Sequence, residues 1–99
     1  MSMRIHLVAS VQLSQPGHRP VTAGYRPTLR ICGAKALCIF DAIQPTPLSL
    51  GVLGTSNIRV LWESSSSEPF KEGVEFELLE GELVVGNGRV LSVAAIDKI

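Results

Sequence analysis

Six stretches of this chain carry apolar residues at every second position, and no stretch sustains the 3.6-residue spacing of a helix. A period of two sends successive side chains to opposite faces, so each stretch reads as a half-buried strand. The first covers residues 4–12, with Ile5, Leu7, Ala9 and Val11 alternating against His6, Val8, Ser10 and Gln12. Leu29 and Ile31 alternate with Thr28 and Arg30, Gly33-Ala34-Lys35 makes a tight connection, and residues 36–43 return as the third strand. Ile58, Val60 and Trp62 share one face of a fourth over residues 57–63, which makes Trp62 a core residue. Val74, Phe76 and Leu78 alternate with Glu75 and Glu77, and Glu80-Gly81-Glu82 turns the chain into a last strand over residues 83–95. Short strands with loop punctuation make a sandwich or a barrel. Closing the sheet removes its edges. The expected fold is all-β, a six-stranded closed antiparallel β-barrel, with residues 1–99 forming one domain.

The connections carry their own signals. Pro16-Gly17 and Pro20 punctuate a long loop over residues 13–24, and loops of that length in small domains are often functional. Residues 44–57 hold Pro45, Pro47, Gly51 and Gly54 and read as mostly loop, some of which Leu48, Leu50, Val52 and Leu53 fold back onto the core. Ser64 to Ser67 leads into residues 68–73, the segment expected to be most mobile. Gly86-Asn87-Gly88 interrupts the last strand and marks either a bulge or a close approach of another backbone.

With 99 residues, 45% of them apolar, the chain can bury one core without a metal or crosslink. Its formal net charge of zero argues against non-specific binding to nucleic acid or membranes, which needs a basic excess. Arg19, Arg26 and Arg30 are nevertheless close enough in sequence to form a local basic patch. No run approaches the roughly 18 apolar residues that span a bilayer. The N-terminal Met1-Ser2-Met3-Arg4 enters the alternation without a signal peptide's apolar block, so a cytoplasmic location and no membrane partner are expected. Cys32 and Cys38, the only cysteines, are spaced too widely for a redox or zinc pair. A hairpin loop over residues 33–37 would set the two thiols facing each other, but a reducing cytoplasm favours free thiols.

No catalytic motif is present: there is no GxSxG elbow, no HExxH and no phosphate-cradling GxxxxGK[ST]. An enzyme is not expected, nor a cofactor or a metal site. Glu75, Glu77, Glu80 and Glu82 cluster in one hairpin, where they read more simply as a solvated charged face than as an acid/base pair. The loop from His18 to Pro27 concentrates the candidate contacts. His18 is either a loop histidine that bonds the backbone, or a base, metal ligand or phosphate contact. Tyr25 and Arg26 either stack on and pair with a nucleic-acid backbone, or cap one end of the barrel, with Arg26 paired to a glutamate of the last hairpin.

These residues also form a pattern. Pro16-Gly17-His18-Arg19-Pro20 followed by Gly24-Tyr25-Arg26-Pro27 resembles a loop of the third, C-terminal domain of elongation factor Tu and its relatives. There a Gly-x-His-x-Pro segment precedes Gly-Tyr-x-Pro and a strand. Gly54-Thr55-Ser56-Asn57-Ile58-Arg59-Val60 is similar to that domain's Gly-Asp-Asn turn and the strand after it. Phe76-Glu77-Leu78-Leu79-Glu80-Gly81 and Val85-Gly86-Asn87-Gly88-Arg89-Val90 are similar to its final hairpin. The resemblance runs in register along nearly the whole chain and implies a six-stranded antiparallel barrel. In that family the barrel packs on a second barrel and a GTP-binding domain, contacts the T-arm of aminoacyl-tRNA and helps bind the nucleotide-exchange factor. The GTP-binding domain has no counterpart in these residues, so the resemblance implies no GTPase activity. Thr55-Ser56-Asn57 stands where the family has Asp-Asn in the turn, and Glu82-Leu83-Val84 stands where the family tends to place Arg and Thr. An acid there disfavours a phosphate contact. The resemblance implies a binding module whose partner is a protein, of the translation machinery, another subunit or a second copy of the chain, with tRNA or other RNA as the alternative. His18, Arg19, Tyr25, Arg26 and Arg89 are its candidate contact residues.

Overall fold

The alternation along the chain becomes a burial pattern almost residue by residue. In a computed structural model, which describes residues 2–99, strand β1 (Met3–Leu13) buries Met3, Ile5, Leu7, Ala9, Val11 and Leu13 and turns the residues between them outward. The remaining strands are β2 (Thr28–Ile31), β3 (Ala34–Gln44), β4 (Gly54–Trp62), β5 (Glu75–Glu80) and β6 (Leu83–Lys98). They lie in the order β1-β4-β3-β2-β5-β6, and β6 pairs back onto β1, so the sheet closes into an antiparallel barrel. Its inside is packed with aliphatic side chains around Phe40, Phe76 and Trp62. Burying such side chains is the main drive to this fold, at about 1.5–3 kcal/mol each. Among the described residues the one buried polar side chain is that of Ser56, whose hydroxyl donates to the Ala42 carbonyl at 2.7 Å and so meets the requirement that buried polar groups be paired.

Several boundaries differ from the sequence reading, for local reasons. The connection between β2 and β3 is Cys32-Gly33, with φ of 49° and 81°, and β3 begins at Ala34. Positive φ at both central residues matches the twist of the flanking strands. It leaves Cys32 exposed at the tip and Cys38 buried on β3, so the thiols do not face each other and both are free. The Cys38 thiol donates to the Pro27 carbonyl at 3.3 Å, and burial pushes its pKa up to about 12. Strand β4 starts at Gly54, three residues earlier than the alternation suggested. A side chain there would stand 2.7 Å from Leu48 and 2.9 Å from the Gln44 carbonyl, so only glycine lets β4 begin so close to its neighbours.

Of the four apolar residues in the loop between β3 and β4, only Leu48 folds into the core; Leu50, Val52 and Leu53 are exposed. Backbone contacts decide this. The Gly51 amide donates to the Leu13 carbonyl at 3.0 Å and Gln12 Nε2 donates to the Gly51 carbonyl at 2.8 Å, which presses the main chain, not the side chains, onto β1. The serine-rich connector is tied to the core by Trp62, whose indole N–H donates to the Ser66 carbonyl at 2.8 Å, and by Phe70, packed edge-on to Trp62 at 4.9 Å. Gly86 and Gly88 are close approaches: a Cβ on Gly88 would lie 2.5 Å from the Phe76 ring and from the Ser10 carbonyl. The β1–β6 register passes through them unbroken. Beyond Arg89, β1 is the only strand partner of β6 among the described residues, and β6 runs to Lys98, farther than expected.

Candidate functional site

The loop between β1 and β2 is stitched down along its length. Val21 and Leu48 exchange two backbone hydrogen bonds, the Gly24 amide donates to the Phe40 carbonyl at 2.8 Å, and the Phe40 amide donates to the Tyr25 carbonyl at 2.9 Å. These bonds lay the Tyr25 ring edge-on against Phe40, with centroids 5.4 Å apart. His18 also stands edge-on to Tyr25, with centroids 6.1 Å apart.

Both side chains then reach one carboxylate oxygen. The Tyr25 hydroxyl donates to Glu80 Oε2 at 2.6 Å, and His18 Nε2 lies 2.7 Å from the same atom. His18 Nδ1 lies 2.7 Å from the Arg19 carbonyl. A carboxylate and a carbonyl both only accept, so the form of His18 that satisfies both contacts is the imidazolium, with hydrogen on each ring nitrogen. Burial opposes that charge, but the hydrogen bonds to Glu80 and to the Arg19 carbonyl, with the carboxylate's own charge, outweigh it and raise the His18 pKa. Glu80 is held below its ordinary value by the bond from Tyr25 first and by His18 second. Tyr25 is pushed upward by burial and by the adjacent Glu80. The result is a three-member latch that clips the loop to the β5–β6 hairpin and leaves neither His18 nitrogen free for a ligand.

The other candidates separate. Arg89 pairs at 3.5 Å with Glu75 on the outside of the barrel, beside Ser10, Leu53 and Leu91. Arg30 bonds Glu77 through Nε at 2.9 Å, and Lys35 pairs with Glu82 at 3.2 Å. Each glutamate of the hairpin thus answers a different cation, and the cluster seen in sequence forms no carboxylate pair. Arg19 and Arg26 are exposed. Among the described residues Arg4, Arg19, Arg26 and Lys98 have no carboxylate within 4.0 Å, whereas Arg30, Lys35, Arg59, Lys71 and Arg89 each have one.

Arg26 points to a region that sequence spacing did not show. It lines a groove of about 340 Å³ with Arg4 and Arg59, over a floor that includes Leu37, Ile39 and Leu61. Strand register builds this surface: Arg4 lies opposite Leu61 and Leu61 opposite Leu37, while His6, Arg59 and Ile39 form the next row. Arg59 is clamped by Asp41 through two bonds, at 2.7 and 2.9 Å, which raise its pKa. Leu37 is 68% exposed, an aliphatic side chain on the outward phase of β3. Leu37 and Ile39 in the outward phase of β3 and Leu61 in that of β4 break the polar-outside rule, a signal the sequence carried; that β3 and β4 lie side by side is not legible there.

Among the described residues, no group of three His, Cys, Asp or Glu side chains is arranged to hold a metal ion. No helix among them is long and apolar enough to cross a membrane. No protein-family model matches the chain, and no curated protein matches it.

Proposed function

We propose that this protein is a non-catalytic binding module, like the C-terminal barrel of elongation factor Tu that its sequence resembles, and that it engages a protein partner through the outer face of β1, β4 and β3. The observation that carries this reading is the groove between Arg4, Arg26 and Arg59, floored by Leu37, Ile39 and Leu61. Aliphatic surface ringed by arginine is the composition of an interface core and its rim. Leu37, 68% exposed on this groove, gains from being covered, because burying apolar area is worth about 25 cal/mol per Å².

The second reading is RNA binding through the loop from His18 to Pro27, favoured by Arg19 and Arg26 on that loop, both exposed and with no carboxylate within 4.0 Å among the described residues. Single-stranded RNA is held largely by stacking bases on exposed aromatic rings. Here Phe40, Trp62, Phe70 and Phe76 are buried, and Tyr25 is packed on Phe40 with its hydroxyl on Glu80. A glutamate beside the loop also repels phosphate. These features favour a protein partner.

Affinity capture from the native cell with the unaltered chain and with Leu37→Glu tests the proposal. A partner retained by the first and lost by the second is expected. A partner retained equally by both sinks the assignment of this face, and a low-salt gel shift with tRNA abolished by Arg26→Glu moves the function to the second reading.

A further inference from the structure

We infer that the groove on β1, β4 and β3 receives an acidic polypeptide segment with an aliphatic residue between its carboxylates; this rests on the reading of that face as a protein-docking surface. The argument is charge complementarity, read from how the chain disposes of its own ions. The nine Lys and Arg side chains balance nine Asp and Glu. Most are neutralised locally, five of the cations by carboxylates within 4.0 Å. Of the four cations left without a carboxylate among the described residues, Arg4 and Arg26 line this one groove from opposite sides. Arg19 and Lys98 lie outside this groove, so Arg4 and Arg26 are the two cations without a carboxylate within 4.0 Å that share an apolar floor, with Asp97, bonded to His6, standing opposite Arg4 on β6.

The geometry also gives the ligand an orientation. Arg4 stands on β1 and Arg26 just before β2, with β4 and β3 between them. Neighbouring strands lie about 4.8 Å apart, so Arg4 and Arg26 are carried on the two flanks of the Leu61–Leu37 pair. A carboxylate at either end of a short segment reaches both while the side chain between them covers Leu37. Arg59 is already held by Asp41 and acts as a positioning wall. Glu63 lines the hollow on the far side of Leu37 and Leu61, with Lys35, and turns an acidic segment away from that side. The floor offers aliphatic surface and no aromatic ring for stacking a base, which selects peptide over nucleic acid.

The test is fluorescence anisotropy with three labelled probes on the whole chain: a nonapeptide with a Leu-Leu centre flanked by Glu and Asp, the same peptide with Lys at every acidic position, and a twelve-residue oligouridylate. The acidic peptide is expected to bind, and to weaken about fivefold with Arg4→Glu or Arg26→Glu and tenfold or more with both, as rim charge pairs do. Raising salt from 0.05 to 0.5 M is expected to weaken it further, because exposed charges are screened. Circular dichroism and a thermal melt confirm that each variant is folded. Equal binding of the acidic and basic peptides overturns the inference, as does acidic-peptide binding unchanged in the double variant, or tighter arginine-dependent binding of the oligonucleotide. No binding of the acidic peptide, combined with Leu37-dependent capture of a cellular protein, removes the acidic partner and leaves the docking face standing. Failure of both removes the face as well.

Discussion

Two regions of this barrel bring arginine together with large side chains, and they differ in whether the chain satisfies them itself. At the end closed by the loop, His18 and Tyr25 converge on Glu80, with both imidazole nitrogens and the phenol engaged within the chain. On the side formed by β1, β4 and β3, Arg4 and Arg26 face an exposed leucine without a carboxylate partner among the described residues. The loop end has the residue types that suggest chemistry in a sequence, and uses them to hold shape. The strand face is inconspicuous in sequence, and it is the region left with unmet contacts. Residue type alone does not separate a site from a brace; the state of each group's partners does.

The largest perturbation that breaks this contrast is Phe40→Ala. Phe40 is fully buried and carries the Tyr25 ring, so its removal leaves a cavity beneath the loop. A loss of about 3–5 kcal/mol in urea unfolding is expected. Glu80→Ala comes next, because it strips the acceptor from a half-buried phenol and from a histidine whose side chain is only 10% exposed. About 1–3 kcal/mol is expected from leaving such groups unpaired, toward the lower end because Glu80 itself is 46% exposed. Glu80→Gln keeps an acceptor for Tyr25 and is expected to recover part of that loss.

A smaller effect sharpens the electrostatic side of the latch. The raised His18 pKa means its stabilisation is complete below the ordinary value of 6.5 and is lost as pH rises through the folded value. The lowered Glu80 pKa means its stabilisation is complete above 4.5 and is lost as pH falls through the folded value. The latch is therefore strongest between pH 4.5 and 6.5. Unfolding midpoints measured across pH should decline on the alkaline side, and His18→Gln should flatten that decline. A wild-type alkaline slope kept by the variant would show that another group sets it.

The smallest expected effect on stability belongs to the groove. Leu37→Ser and Arg26→Gln should each change unfolding free energy by no more than about 0.5 kcal/mol, since neither has an internal partner to lose. A loss of several times that in denaturant unfolding would make the groove a brace as well, and the contrast between the regions would collapse.

Much of the fold is legible in the sequence because strand burial is a local, period-two property. Ile5 to Leu13 and Ile58 to Trp62 follow it without exception, and Gly86 and Gly88 mark a close strand approach that a glycine pair in a strand can announce. What failed to read locally was set by backbone pairing at a distance. Leu50, Val52 and Leu53 have the character of core residues, yet the bonds of Gly51 to β1 turn them outward. Cys32 and Cys38 are near enough in sequence to approach each other, yet a two-residue turn separates them into tip and core.

The candidate site divides in the same way. The presence of His18, Arg19, Tyr25 and Arg26 in one loop is a fact of the sequence, and so are the proline and glycine positions that make it a loop. That Glu80, 55 residues beyond Tyr25, accepts from both His18 and Tyr25 follows only from the folded β5–β6 hairpin meeting the loop. The groove is still further from sequence: Arg4, Arg26, Leu37 and Arg59 belong to separate segments and meet because β4 lies between β1 and β3. Alternation specified which side chains face inward. Strand order and register, which depend on long-range pairing, decided which outward side chains are neighbours, and so which charges were left without a partner.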